Sequence, residues 1–289
     1  MKHFDPRLNA IRADLADIAL KGQVQAARYA RGESYRVATP AAPLRREPSH
    51  AAMLLTEALY GETVSVFEVA DDWAWVQLAG DRYVGWIPRD ALADTGPKPT
   101  HKVSALRTFA FGRADIKSPP IMGLPFGAQL AVTGDSEDKN ARYALIEPAG
   151  AVVIQHLAPL DHIETDWTSV AERFVGTPYL WGGKTAAGVD CSGLVQVALN
   201  ACGIPAPRDS DMQEAELGTT LPLEGGLPVL RRGDLVFWKG HVGLMRDGDT
   251  LLHANAYHMQ VAVEPLQAAT ERLSGRGSDL TSVRRIGRE

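Results

Sequence analysis

The stretch "GVDCSGLVQVALNACG", residues 188–203, holds both cysteines of a 289-residue chain. Leu194, Val195, Val197, Ala198 and Ala201 give it helical apolar faces, with Asp190 placed to cap the start and Gly203 to end it. A helix beginning there puts Cys191 at its N-terminus, where unpaired N–H groups and the macrodipole favour negative charge. The expectation is a stabilised thiolate and a lowered thiol pKa. A bridge to Cys202 is excluded, because the helical rise over that span is roughly 16 Å while bridged Cα atoms lie within about 7 Å. Cys202 reads as a small buried hydrophobe. Cys191 alone has the same bland account, so a chemical role for it must be argued from the rest of the chain.

Apolar residues make up 45% and charged residues 22% of the sequence, the balance of a globular protein with room for two or three domains. A formal charge of −5 offers no basic footprint for nucleic acid. The opening "MKHFDPRLNAIRADLADIAL" is charged throughout and lacks the apolar core of a signal peptide; no later stretch is long enough to span a membrane. Two cysteines that cannot bridge locally fit a reducing compartment. The expected location is cytoplasmic, with no membrane, nucleic-acid or obligate protein partner implied.

The organisation reads as four segments. In residues 1–34, Leu8, Ile11, Leu15, Ile18 and Ala19 repeat at helical spacing, which predicts an amphipathic helix over 5–30. Residues 35–96 alternate apolar and polar around the turn signals Asp71-Asp72 and Gly80-Asp81, a small antiparallel β unit. Residues 97–162, after the linker "GPKPT", repeat it weakly: "GETVSV" at Gly61 returns as "GAQLAV" at Gly127, and "WIPRDAL" has a counterpart in "VVIQHL". Two small all-β barrels of this meander pattern resemble bacterial SH3 domains. Residues 163–289 give a helix ("WTSVAERFVG"), a "PYLWGG" loop, the cysteine helix, then "GDLVFWKGHVGLM" and "TLLHANA" as two strands joined by "RDGD". Helices followed by an antiparallel sheet define an α+β domain.

A cysteine nucleophile needs a base to take its proton and a third group to orient that base. If the two strands pair across "RDGD", His241 and His253 come together facing the cysteine helix, His241 as base and His253 as orienting group. The motifs "PYLWGG", "DCSGLVQ", "RDSDMQ", "RRGDLVFWKGHVGLM" and "LLHANA", in that order, resemble the NlpC/P60 family of papain-like cysteine peptidases. "LRREPSH" and "LLTEALYGE" extend the resemblance to members that carry SH3-like units and act on cell-wall peptides.

That resemblance implies a papain-like catalytic domain behind two SH3-like barrels and a short N-terminal helix. It implies cleavage of the γ-D-glutamyl–diamino acid bond (meso-diaminopimelate or Lys) in murein peptides such as L-Ala-γ-D-Glu-diaminopimelate, in peptide recycling. Cys191 is then the nucleophile, His241 the base and His253 the third polar residue. The Cys191 N–H and the Tyr179 hydroxyl become the oxyanion donors, each worth about 3–4 kcal/mol to a transition state. Asp190, Ser192, Asp209 and Ser210 match positions around the substrate's amino end and γ-glutamyl portion. In the first β unit, Glu47 and Tyr83, with Glu57 and Trp86 as substitutes, are the candidates for pairing with a free N-terminal amine. An acylated amine would strand that carboxylate at a cost of about 3–5 kcal/mol. No metal or organic cofactor is called for.

Plainer accounts stand beside these. Asp190 can serve as a helix cap, Tyr179 and Trp181 as core aromatics, Glu47 and Glu57 as solvated charges, and Tyr83 and Trp86 as barrel core. Three other functions compete: a zinc hydrolase using Cys191, His241 and His253; a papain-like amidase or acyltransferase; and a non-catalytic wall-peptide binder.

Overall fold

A computed structural model describes residues 4–224 and 226–287. The chain divides into two compact units, residues 1–162 and 163–289.

The first unit contains two seven-stranded antiparallel sheets. The strands of one are Glu33–Val37, Ala41–Arg45, Leu54–Leu59, Thr63–Ala70, Trp73–Leu78, Val84–Pro88 and Leu92–Asp94. Those of the other are His101–Val103, Arg107–Phe111, Pro120–Pro125, Gln129–Glu137, Arg142–Glu147, Ala151–Val153 and Leu157–Pro159. Both sheets run in the spatial order third, second, sixth, fifth, fourth, first, seventh. Each inserts a 3₁₀ turn before its last strand, Arg89–Ala91 and Ile154–His156. The interiors correspond as well: Val37, Leu44, Ala58 and Val64 fill the first core where Val103, Ala110, Leu124 and Leu130 fill the second, at one constant sequence interval.

The turn before the fourth strand demands glycine in both copies, with φ +81° at Gly61 and +84° at Gly127, a region costly to residues with a Cβ. At Gly61 a second constraint is added. The Tyr60 carbonyl accepts the Gln129 N–H at 2.8 Å, and the Tyr60 ring sits in the second core, so the two sheets meet at this turn.

The N-terminal helix over 5–30 is not formed. The segment instead contributes two short parallel strands, Leu15–Asp17 and Arg28–Ala30, around a 3₁₀ turn at Ile18–Leu20. Tertiary burial overrides helical spacing here. Ala10 and Leu15 are buried against Phe67, Trp73, Trp75 and Trp86, and the Arg12 guanidinium lies over the rings of Trp75 and Trp86 at 4.4 and 5.0 Å. Asp17 caps the short turn by accepting the Ala19 N–H, and Gly22, at φ +84°, turns the chain where a helix would continue.

The second unit opens with α1 (Trp167–Glu172), α2 (Cys191–Ala201) and α3 (Ser210–Glu216). A six-stranded antiparallel sheet follows: β1 (Thr219–Leu221), β2 (Leu235–Trp238), β3 (His241–Met245), β4 (Thr250–Asn255), β5 (Gln260–Pro265) and β6 (Leu280–Arg285), with α4 (Leu266–Ser274) between the last two. The spatial order is β1-β6-β2-β3-β4-β5. "GDLVFWKGHVGLM", read above as one strand, is a hairpin. Trp238 pairs with His241 across Lys239-Gly240, and Gly240 adopts φ +75°, a region glycine enters without a Cβ penalty. Helix α2 packs its apolar side on β3 and β4.

Gly61→Ala combines a strained φ, costing on the order of 1–3 kcal/mol, with a Cβ that overlaps the Gln129 carbonyl. Gly127→Ala has the same φ, but its nearest neighbour is the end of Leu59 at 3.5 Å. Urea denaturation should therefore place Gly61→Ala clearly below Gly127→Ala in stability, and equal losses would refute the contact between the sheets.

Candidate active site

Helix α2 starts on a buried carboxylate. Asp190 Oδ1 accepts the Gly193 N–H at 2.7 Å and Arg208 at 2.9 Å; Oδ2 accepts the Gly182 N–H at 2.8 Å and Arg208 at 2.7 Å. A carboxylate offers about four lone-pair sites, and the protein fills them. Asp190 thus caps the helix, as its position predicts, and has no capacity left for the substrate contact also expected of it. Arg208 additionally donates to Ser192 Oγ at 2.9 Å, which ties that hydroxyl to the same cluster. Gln213 on α3 donates to the Ser192 carbonyl at 2.9 Å and to the Pro207 carbonyl at 2.8 Å. The helix start lies against the loop at Gly183, so close that any side chain at Gly193 would overlap the Gly183 carbonyl.

Cys191 is the first residue of α2 and is 7% exposed. Its thiol pKa is not lowered. Burial pushes it up to about 12, and the charge of Asp190 acts in the same direction. The Val242 and Ser192 amides pull it down by hydrogen-bonding to the sulfur, which places Sγ against the first residues of β3. The expected dipole effect is outweighed first by burial and then by the charge of the residue that caps the helix. Tyr179, half-buried on the loop before α2, is held by its N–H to the Met259 carbonyl at 2.9 Å. Burial first, then the charges of Cys191 and Asp190, raise its phenol, so it stays a hydrogen-bond donor beside the sulfur.

The sheet brings the two histidines together. Nε2 of His241 lies 2.9 Å from Nδ1 of His253, and Nε2 of His253 lies 2.8 Å from Oε1 of Glu264. Arg272 on α4 completes the line with two bonds to Glu264, at 2.7 and 2.5 Å. His253 is fully buried and faces Gly243, where a Cβ would sit 2.7 Å from the Leu251 side chain and 3.1 Å from the His253 Cβ. Burial drops His241 to about 3, with His253 the next cause, and it lowers His253 too. The resting site therefore holds a neutral thiol and a neutral imidazole.

Asp209 and Ser210 are half-buried at the start of α3, next to Arg208. In the first unit, Glu47 is exposed after the second strand and Glu57 is half-buried in the third. Tyr83 belongs to the first core and Trp86 packs beneath Arg12, so both rings are interior, in place of the ligand surface expected of them. Among the described residues, the donor set close enough for a metal is His253, His258 and Glu264; Cys191 and His241 are not in it, which counts against the zinc reading. Sequence reasoning missed Arg208 and Gln213, although both stand in the "RDSDMQ" motif, and missed Glu264 and Arg272. Glu264 could have been found by alternation, since it shares a face of β5 with Ala262, the partner of His253.

A helix-borne cysteine facing a sheet-borne histidine pair, on this α+β frame, defines a papain-like cysteine hydrolase. Residues 176–273 match the NlpC/P60 family, and residues 44–92 match the bacterial dipeptidyl-peptidase SH3 domain. The chain is 29% identical over 246 residues to dipeptidyl-peptidase 6 of Lysinibacillus sphaericus, covering 78% of this chain and 89% of that one. It is 30% identical over 224 residues to gamma-D-glutamyl-L-lysine dipeptidyl-peptidase of Bacillus subtilis (strain 168), covering 70% and 72%. A crystal structure of an NlpC/P60 family protein from Bacillus cereus ATCC 10987 shares the fold with a TM-score of 0.72 at 21% identity, covering 88% of this chain and 99% of that one. The chain belongs to the NlpC/P60 family and is a peptidase of the cysteine type.

Two outcomes follow from the site. Arg208→Ala leaves the buried Asp190 carboxylate without its cation, a loss of about 3–5 kcal/mol; a urea midpoint equal to wild type would refute the pair's structural role. The pKa shifts also set a pH window. His241 and His253 bind protons less readily folded than unfolded, so their contribution is intact above about 6.5 and falls away as pH drops towards 3. Glu264, lowered from 4.5 to about 2, adds a further loss as pH falls below about 4.5 towards 2. The Cys191 thiol, raised from 9.0, loses its contribution as pH climbs towards 12. Urea midpoints should peak between about pH 6.5 and 9, and an unchanged midpoint at pH 5 would contradict neutral buried histidines.

Proposed function

We propose that this protein hydrolyses the γ-D-glutamyl–diamino acid bond of murein-derived peptides with a free N-terminus, such as L-Ala-γ-D-Glu-meso-diaminopimelate. The observation that carries the reading is the Cys191 sulfur set against β3 beside the His241–His253 pair. The names of the relatives and the match of the first β unit to a dipeptidyl-peptidase SH3 domain support the substrate class.

In this reading the thiol proton passes to His241 and the sulfur attacks the γ-carbonyl carbon. The Cys191 N–H and the Tyr179 hydroxyl receive the oxyanion. The protonated His241 then gives its proton to the departing amine, and water releases the γ-glutamyl product from sulfur. We place the activity in cytoplasmic recycling of released peptides.

Mass spectrometry of that tripeptide after incubation tests the proposal. Wild type should release L-Ala-γ-D-Glu and diaminopimelate, Cys191→Ala should fall to background, and the N-acetylated peptide should survive. Cleavage of the acetylated peptide at the same rate removes the free-amine requirement. An untouched tripeptide, with Cys191 shown to be a free thiol, overturns the substrate and favours a papain-like amidase or acyltransferase acting elsewhere.

A further inference from the structure

The line of hydrogen bonds from Cys191's neighbour His241 ends on a carboxylate, and that end fixes where every proton along it must sit. Burial works to protonate Glu264, but hydrogen bonds from His253 and Arg272 outweigh it and hold the carboxyl at about 2, ionised throughout the neutral range. An ionised carboxylate can only accept. At 2.8 Å from Glu264, Nε2 of neutral His253 must therefore carry the hydrogen, and its Nδ1 must be a lone pair. That lone pair faces Nε2 of His241 at 2.9 Å, so His241 is the donor there. With its single hydrogen on Nε2, neutral His241 has a bare Nδ1, the nitrogen available to take a proton.

We propose that Glu264, clamped by Arg272, is a positioning residue that sets the tautomer of both histidines and so leaves His241 with a basic Nδ1 for the Cys191 thiol. Without the carboxylate's charge the opposite polarity becomes available: His253 donates from Nδ1, His241 accepts at Nε2, and the His241 hydrogen moves to Nδ1, where it can no longer act as a base. The surroundings keep the carboxylate in place. The Tyr257 ring covers Arg272 at 4.2 Å, and His258, whose Nδ1 is 3.9 Å from Glu264, is bonded to Asn255 Oδ1 at 3.1 Å. The groups facing Glu264 are thus His253, His258 and Arg272, with His241 one bond beyond. This inference rests on the peptidase reading for its meaning, but its first tests need no peptide.

The direct measurement is ¹⁵N–¹H correlation of histidine-labelled wild-type protein at pH 7. The expected result is hydrogen on Nε2 of both His253 and His241, with Nδ1 of His253 bare; a His253 with its hydrogen on Nδ1 overturns the proposal. Glu264→Gln removes the charge while keeping the shape. Its kcat should fall roughly 10–100-fold with KM nearly unchanged, less than the loss when a base's immediate partner is altered because Glu264 acts one link further away. Alkylation of Cys191 by iodoacetamide, read on the Cys191 peptide, should slow to a similar degree, and Glu264→Asp should recover part of both. A Glu264→Gln protein with wild-type kcat and alkylation rate would reduce Glu264 to a structural acid. If that variant fails to fold, the wild-type tautomers still decide. If wild type cuts no murein peptide, the substrate reading falls, while the alkylation and ¹⁵N results judge the relay independently.

Discussion

The buried Asp190–Arg208 pair is the constraint on which the catalytic unit depends. Moving a carboxylate and a guanidinium out of water is costly unless each lone pair finds a donor. Here two backbone N–H groups and a bidentate Arg208 satisfy the carboxylate. These bonds join three separate pieces of chain: the Gly182 loop, the first turn of α2, and the segment leading into α3. The position of Sγ follows from that junction, because Cys191 is the residue immediately after the cap. The same carboxylate contributes to the electrostatics. A helix N-terminus alone would favour a thiolate, but burial opposes it most strongly, and the negative charge at the cap adds to the opposition.

The consequence is a site whose buried thiol and imidazole both favour their neutral forms. A high thiol pKa and a low imidazole pKa both come from dehydration, and dehydration also strengthens any hydrogen bond offered to a transient charge. A phenol kept protonated at Tyr179, on the loop before α2, is suited to such a charge. Neutral resting groups and strong fixed donors are therefore two results of one cause.

Much of this was legible in the sequence where the signal is local or periodic. Asp190, Cys191 and Gly203 mark the bounds of α2 through capping and turn chemistry, and the histidines meet because β3 and β4 pair across residues 246–249. The spacing of Leu8, Ile11, Leu15 and Ile18 misled, because Leu15 is buried by a cluster of aromatic rings far along the chain and Ile18 is left outside. The exhaustion of Asp190's lone pairs could not be read either, since Arg208 reaches it from another segment. Tyr83 and Trp86 illustrate the same limit: aromatic residues on a β meander look alike whether they line a core or a ligand surface.

Antiparallel pairing also explains why the two histidines and Glu264 are found on neighbouring strands. On one face of such a sheet, directly opposed and diagonal residues lie within side-chain reach. His241 on β3, His253 on β4 and Glu264 on β5 use that reach in succession, while Gly243 supplies the space a side chain would otherwise occupy. Helix α4 follows β5 directly and returns Arg272 to the carboxylate, so the line closes on a cation instead of on solvent. The sulfur comes from the other layer, on α2 packed across β3 and β4. Its distance to the imidazole is thus set by helix-on-sheet packing through buried Leu194, Val195 and Ala198. A close-packed core resists sub-ångström adjustment, and the histidine's proton is placed by a separate chain of hydrogen bonds. Geometry and protonation are thereby fixed by different parts of the fold, and each can fail without the other.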